Sequence, residues 1–260
     1  MAPPQPGDPG ANPADRLASL RALREQAGLF LDFDGTLSEI APRPEAARPV
    51  AGAPNVLARL AERYAIVAVV SGRPAADVQE LLDVPGVVIL GHYGLESPAD
   101  DDASIAGVRT EVETAITGRA GTWVEDKGRS VAVHFREAER PDAAAEALRP
   151  KLEEIAGAHG LLLLPGKMVL ELAPAETPGK GAVVAHEVRT RGLRACLFAG
   201  DDVADLAAFS ALDRLSAEDG IVALKVAVDG LETPAELRDA ADEVVDGPAG
   251  LLRLLERLTG

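Results

Sequence analysis

With 260 residues, 47% of them apolar and 26% charged, the chain is composed like a soluble globular protein with room for one large α/β unit, or for a core and a smaller inserted domain. A formal charge of -16 argues against nucleic acid and anionic membranes as partners, because both would be repelled over most of the surface. Apolar runs such as "AIVAVV" and "LLLL" fall far short of the ~18 residues that span a bilayer, and the lone Cys196 excludes a disulfide framework and reads as a buried, inert thiol. The opening "MAPPQPGDPGANPAD" lacks a basic region followed by an apolar stretch, so it reads as a Pro/Gly-rich tail rather than a signal peptide, and a cytoplasmic protein is expected.

The first helix is signalled by Asn12 as N-cap, Pro13 at the first helical position, and Leu17, Leu20 and Leu23 along one face. The buried strand "GLFLDF" follows. A loop, "APRPEAARP", leads to the helix "NVLARLAERY" and the strand "AIVAVV", which ends in "SGRP"; the helix "AADVQELL" and the strand "GVVILG" continue the rhythm. Continuous apolar strands alternating with helices predict a parallel sheet covered on both faces.

From about residue 97 to 177 the pattern changes. "TWVED" and "SVAVHF" alternate with period two around "KG", which predicts an antiparallel hairpin with one wet face. The helix "PDAAAEALRPKLEEIAGAHG" follows, with Pro150 expected to bend or split it. A second hairpin, "LLLLPGKMVLEL", is expected to turn at Pro165-Gly166. The α/β rhythm then resumes with the helix "GKGAVVAHEVRTRG", the strand "ACLFAG", the helix "DLAAFSAL" and the strand "GIVALKVA". Thr233 and Glu236 are expected to form a capping box for "PAELRDAA", before a last strand "EVVD" and helix "PAGLLRLLERL". The expected division is a flexible tail over 1–14, a catalytic core over 15–97 and 178–260, and an inserted α+β domain over 98–177.

Ligands of open α/β sheets bind beyond the carboxyl ends of the strands. Three such ends carry "DFDGT", "SGR" and "GDDVAD". Asp32 and Asp34 can both face the crevice, and Asp201 and Asp202 arrive from another strand. Carboxylates converging without compensation would cost several kcal/mol or shift their pKa values sharply. A divalent cation resolves the conflict, oxygen ligands favour Mg²⁺, and Mg²⁺ commonly completes its shell with substrate phosphate. Phosphoryl transfer is the chemistry this implies. Gly35 permits close approach of backbone to phosphate, Thr36 and Ser71 offer hydroxyls, and Lys180 a positive charge. Asp32 is placed to attack phosphorus, and Asp34 to protonate the leaving oxygen and then deprotonate water. Arg73, after the Ser71-Gly72 turn, faces the same crevice, where its guanidinium can meet a bound phosphate.

Together "LDFDGTL", "SGR", "GKG" and "GDDVAD" resemble the four motifs of the haloacid dehalogenase-like (HAD) phosphatases, over essentially the whole chain after residue 15. The resemblance implies a HAD-like Rossmannoid core with an inserted α+β cap of the C2B type. It implies Asp32 as nucleophile and Asp34 as acid/base, and a Mg²⁺ held by Asp32, the Asp34 carbonyl and Asp201, with Asp202 and Asp205 in support. Ser71 and Lys180 would hold the phosphoryl group. "VEDKGRSVAVHFR", "GKMVLEL" and "LSEI" are further similar to the trehalose-6-phosphate phosphatases, whose cap contacts glucose hydroxyls; the matching positions are Glu125, Lys127 and Glu171. Alternation in "KMVLEL" agrees, since Met168, Leu170 and Leu172 share one face and Glu171 lies on the other. Ala204 and Leu206 depart from the family's more usual GDD-x-TDE, and Tyr93 stands where the family often has the His of a His-Gly pair, with His92 one earlier.

The activity expected from this resemblance is hydrolysis of trehalose 6-phosphate, as the last step of trehalose biosynthesis, by a monomer. The alternatives are a phosphatase of sucrose phosphate or glycosylglycerol phosphate, and a catalytically idle sugar-phosphate sensor.

Overall fold

The structure, a computed structural model, describes residues 12–92, 103–175 and 177–260. The expected tail lies outside these residues up to position 11, as do Tyr93 and the expected start of the insertion near 98. In chain order the elements are α1 (Pro13–Ala22), β1 (Ala27–Leu31), α2 (Ala53–Ala61), β2 (Ile66–Val70), α3 (Ala75–Leu82), β3 (Val87–Leu90), α4 (Ala103–Ile116), β4 (Trp123–Asp126), β5 (Val131–His134), α5 (Pro141–Ala158), β6 (Leu161–Gly166), β7 (Val169–Pro174), α6 (Gly179–Thr190), β8 (Ala195–Gly200), α7 (Leu206–Asp219), β9 (Val222–Asp229), α8 (Ala235–Ala240), β10 (Glu243–Asp246) and α9 (Gly247–Leu258). They fall into two compact units, Met1–Leu95 with Pro178–Gly260, and Glu96–Thr177. Among the described residues no helix is long and apolar enough to cross a membrane.

The first unit is built on a parallel sheet, in the order β10-β9-β8-β1-β2-β3. Strand β1 is apolar throughout because both its faces are covered. Leu29 and Leu31 enter one cluster with Leu20, Leu57, Leu60 and Leu255, while Phe30 enters the other with Val184, Phe198, Phe209 and Leu212. Each such side chain contributes about 1.5–3 kcal/mol on burial. The chain runs outward from β1 through β2 to β3, then returns to β8 on the other side of β1 and runs out to β10. Strands β1 and β8 therefore meet where the strand order reverses, the point at which a crevice opens beyond their carboxyl ends. Cys196 on β8 is fully buried, and that burial pushes its thiol pKa far up.

At α1, Asn12 Oδ1 accepts from Asp15 N–H at 3.0 Å, the predicted cap. The capping box expected at Thr233 does not form. Pro234 precedes α8 with no side-chain cap, and Thr233 Oγ1 instead accepts from Gly230 N–H and donates to Val228 O, both at 3.0 Å, tying down the exit of β9.

The second unit is an antiparallel sheet in the order β4-β5-β7-β6, with one face packed on α4 and α5. Val131, Val133, Leu170 and Leu172 from the sheet meet Val108, Val112, Leu148, Leu152 and Ile155 from the helices. Two expectations change here. Helix α5 runs unbroken from Pro141 to Ala158 through Pro150, which lies on its exposed side; the hydrogen bond Pro150 removes is lost where water reaches, while Leu148 and Leu152 on the buried side hold the helix in place. The second hairpin turns at Lys167-Met168, with Met168 left-handed at φ 57°, and Pro165 and Gly166 sit in β6. Strand β6 is a sheet edge, where a residue without an N–H is tolerated.

Candidate active site

The two strands at the reversal point are held in register by Leu31 opposite Ala199, and Asp32 N–H donates to Ala199 O at 2.9 Å. Asp32 and Asp201 thus leave the sheet side by side. Behind them, the short turn of Val203–Asp205 brings Asp205 back toward the strand ends: its Oδ2 accepts from the N–H groups of Asp201 and Asp202, at 2.9 Å each. Ligand oxygens of Asp32, Asp201 and Asp205 all lie within 4.8 Å of one another, and all three side chains are buried.

Lys180 enters this group from the first turn of α6. Its Nζ donates to Asp32 Oδ1 at 2.7 Å and to Asp205 Oδ1 at 2.6 Å. The second glycine of "GKG" makes that reach possible: a Cβ on Gly181 would collide with the backbone carbonyl of Ala207. Gly35 is needed twice over, since it is left-handed at φ 80° and a Cβ there would fall on the Asp201 carboxylate. Thr36 Oγ1 donates to Asp201 Oδ1 at 3.4 Å.

Burial drives the Asp32 carboxyl well above the usual aspartate range; the Lys180 ammonium pulls it down, and the neighbouring Asp205 and Asp201 push it up again. Three buried carboxylates cluster here, and the Lys180 ammonium sits on two of them, Asp32 and Asp205. Its donors are all carboxylate oxygens, the set that suits a hard divalent cation such as Mg²⁺. Asp205 has Oδ1 on Lys180 and Oδ2 on two backbone N–H groups, so it braces the loop, and Asp32 and Asp201 are the better candidates for metal contact.

Asp34 and Arg73 form a second, more open pair. Arg73 Nε and Nη2 fork onto the Asp34 carboxylate at 2.7 and 2.6 Å, and Nη1 donates to Pro44 O at 2.8 Å. The guanidinium carbon stands 5.5 Å from the centre of the Phe33 ring. Ser71 and Gly72 make the turn that launches it: Ser71 is buried, its Oγ accepts from Arg73 N–H at 3.1 Å, and His92 N–H, with φ at 46°, donates to Arg73 O at 2.9 Å. Asp202, expected among the metal ligands, turns its Oδ1 onto Val203 N–H at 2.6 Å and caps the short turn.

Glu125, Lys127 and Glu171 belong to the other unit, and they gather on the sheet face away from α4 and α5. Lys127 Nζ donates to Glu171 Oε2 at 2.8 Å, and Ser130 Oγ donates to Glu171 Oε1 at 2.5 Å. His134 Nε2 lies 2.7 Å from Glu125 Oε2, and its ring stacks on Trp123 with centroids 3.8 Å apart. Ser130 and His134 escaped the sequence reading. The signal for His134 was present in the strand period, since positions 132 and 134 share a face in "SVAVHF".

Comparison with known proteins shows the family. Residues 30–241 match the protein-family model for Trehalose-phosphatase. The trehalose-phosphate phosphatase of Mycobacterium avium is 39% identical over 204 residues, which cover 71% of this chain and 51% of that protein. The chain thus spans about half the length of the curated relatives it matches. A solved trehalose-6-phosphate phosphatase related protein is 25% identical with a TM-score of 0.69, covering 89% of this chain and 96% of its own. The C-terminal domain of the C. albicans trehalose-6-phosphate phosphatase superposes with a TM-score of 0.79 over 100% of this chain and 99% of that one, at 19% identity, and so shares the fold. With the family's match spanning Asp32, Lys180 and Asp201, this chain belongs to the trehalose-phosphatase family, within the HAD fold.

Proposed function

We propose that this chain hydrolyses trehalose 6-phosphate to trehalose and phosphate, with Mg²⁺ as cofactor and a phosphorylated Asp32 as intermediate. The observation that carries the reading is the buried cluster of Asp32, Asp201 and Asp205, with Lys180 on two of its members, at the reversal point of the sheet in a chain of this family. Mg²⁺ would be held by Asp32, Asp201 and the Asp34 carbonyl; bound there, it neutralises charge on the transferring phosphoryl group.

Asp32 attacks phosphorus through a carboxylate that Lys180 keeps oriented. Lys180 holds negative charge that develops on the phosphoryl oxygens, together with the Ser71 hydroxyl. Asp34 gives its proton to the departing sugar oxygen and then takes one from the water that opens the phospho-aspartate. For that exchange Asp34 must release one oxygen from the Arg73 fork, and Arg73 is then placed to meet the substrate. Glu125, Lys127 and Glu171 bind sugar hydroxyls, where charged partners make the stronger hydrogen bonds.

Phosphate release measured across trehalose 6-phosphate, sucrose 6-phosphate and a glycosylglycerol phosphate, with Mg²⁺ and with chelator, tests the reading. Trehalose 6-phosphate should be turned over with the highest kcat/KM, and only with metal. Preference for another sugar phosphate would overturn the substrate, and full activity in chelator would overturn the metal.

A further inference from the structure

The sheet of the second unit has one face committed to its hydrophobic core and one that carries an ordered set of polar side chains. Register places two rows on that second face: Trp123 opposite His134 opposite Val169, and Glu125 opposite Ala132 opposite Glu171. Glu125 and Glu171 therefore flank Ala132 from the strands on either side of it, about 10 Å apart at the backbone. Ala132 beneath them is fully buried.

Neither carboxylate is left to choose its own orientation. A carboxylate only accepts, so the nitrogen of His134 that lies 2.7 Å from Glu125 Oε2 carries the proton. The imidazole is in turn held by its stack on Trp123, the two ring planes 5° from parallel. On the other strand Glu171 accepts from Ser130 on one oxygen and from Lys127 on the other. Ser130 is buried, and the side chains of Lys127 and Glu171 are only 10% and 8% exposed. Drawing charges this far out of water is a poor way to stabilise a sheet, because desolvation offsets most of their attraction. What the contacts do accomplish is to freeze two rotamer-rich glutamates before any ligand arrives.

We propose that His134 and Ser130 are positioning residues for sugar recognition, His134 fixing Glu125 and Ser130 fixing Glu171 so that both carboxylates meet sugar hydroxyls without reordering. The inference rests on the reading that Glu125, Lys127 and Glu171 bind the sugar. It adds that the two donors set selectivity through those carboxylates, and that Trp123 matters by holding the His134 ring.

Steady-state kinetics of the full chain with Mg²⁺, on trehalose 6-phosphate and on p-nitrophenyl phosphate, test it. His134→Phe keeps a flat ring for Trp123 but removes the donor; Ser130→Ala removes the hydroxyl. Each should raise KM for trehalose 6-phosphate about tenfold with a smaller change in kcat, and lower the ratio of the two kcat/KM values to match. His134→Gln and Ser130→Thr restore a donor and should recover most of the lost ratio, an outcome a merely structural role does not give. Glu171→Ala serves as the control, and should lower the ratio at least as far. If Glu171→Ala lowers the ratio while His134→Phe and Ser130→Ala leave it at the parent value, the positioning roles are wrong. The same holds if Gln and Thr recover nothing. If Glu171→Ala leaves the ratio untouched, the sugar-binding reading falls and takes this inference with it.

Discussion

Asp32 concentrates the electrostatic conflict of the site in one side chain. It is buried, shares Lys180 with Asp205, and has its carboxyl pushed up by burial and by two neighbouring aspartates. Asp32→Asn keeps an oxygen that can accept from Lys180 while removing one of three negative charges. The variant should lose phosphate release altogether and, in chelator, melt no lower than the parent chain by circular dichroism. Residual turnover would remove Asp32 as nucleophile, and a large drop in Tm would show that the ionised carboxylate holds the fold. Arg73 poses a different question, because its value lies in shape as well as charge. Arg73→Lys retains the cation but cannot fork onto Asp34, reach Pro44 O and lie over Phe33 at once. With Asp34 less firmly oriented, kcat should fall roughly tenfold, a part of the roughly 10²–10⁴-fold that a positioned acid/base contributes. Equal kcat in the two proteins would show that the fork is dispensable.

At the scale of elements, the α6 start shows how packing delivers a catalytic group. Gly179 and Gly181 flank Lys180 and differ in what surrounds them. Gly179 is left-handed at φ 67° with open space beside it, whereas a Cβ on Gly181 meets the Ala207 carbonyl. Gly181→Ala must push α6 away from the 203–207 segment, at a cost of about 1–3 kcal/mol, and draw Lys180 off Asp32 and Asp205. Gly179→Ala should cost about 1–2 kcal/mol of backbone strain and leave Lys180 in place. Urea unfolding paired with kcat separates the two: activity lost out of proportion to stability is expected only for Gly181→Ala. The glycines and Lys180 were legible as a motif, but the clash that explains the second glycine was not, since Ala207 lies 26 positions away on another element. The same limit runs through the fold. Buried strands and their order of helices could be read because apolar runs and caps are local. Helix α4 was missed although Ile105, Val108 and Val112 carry the helical spacing and are buried. The Lys167-Met168 turn was misplaced because Pro-Gly is a strong turn signal, and only the pairing of β6 with β7 shows that a sheet edge can hold a proline. Thr233 read as a cap because capping is local, yet its hydroxyl went to β9. Asp205 was visible as the third acid of "GDDVAD", but its placement beside Asp32 and Asp201 depends on the short turn that brings it back.

For the molecule as a whole, a chain of formal charge -16 that also buries three clustered carboxylates carries a stability that depends on what neutralises them. The sign follows from Asp32. Its pKa is higher in the folded state than in the unfolded one, so the folded chain binds the proton more tightly. That contribution is complete below the unfolded value and is lost as pH rises through the raised folded value, above which the ionised group works against the metal-free fold. A divalent cation reverses the balance, because it binds the ionised carboxylates and must displace the proton where one is held. The gain in stability from Mg²⁺ should therefore grow as pH rises through the raised folded value of Asp32, reaching about 2.7 kcal/mol where the metal stands at a hundredfold its Kd. Differential scanning calorimetry in chelator and in Mg²⁺, at several pH values, reads this directly. Asp32→Asn should lose most of the Mg²⁺ increment and its pH dependence together, since it removes both a ligand and the titrating group. An increment that is flat with pH, or one that survives intact in Asp32→Asn, would place the metal away from the β1 and β8 strand ends and would uncouple it from the nucleophile.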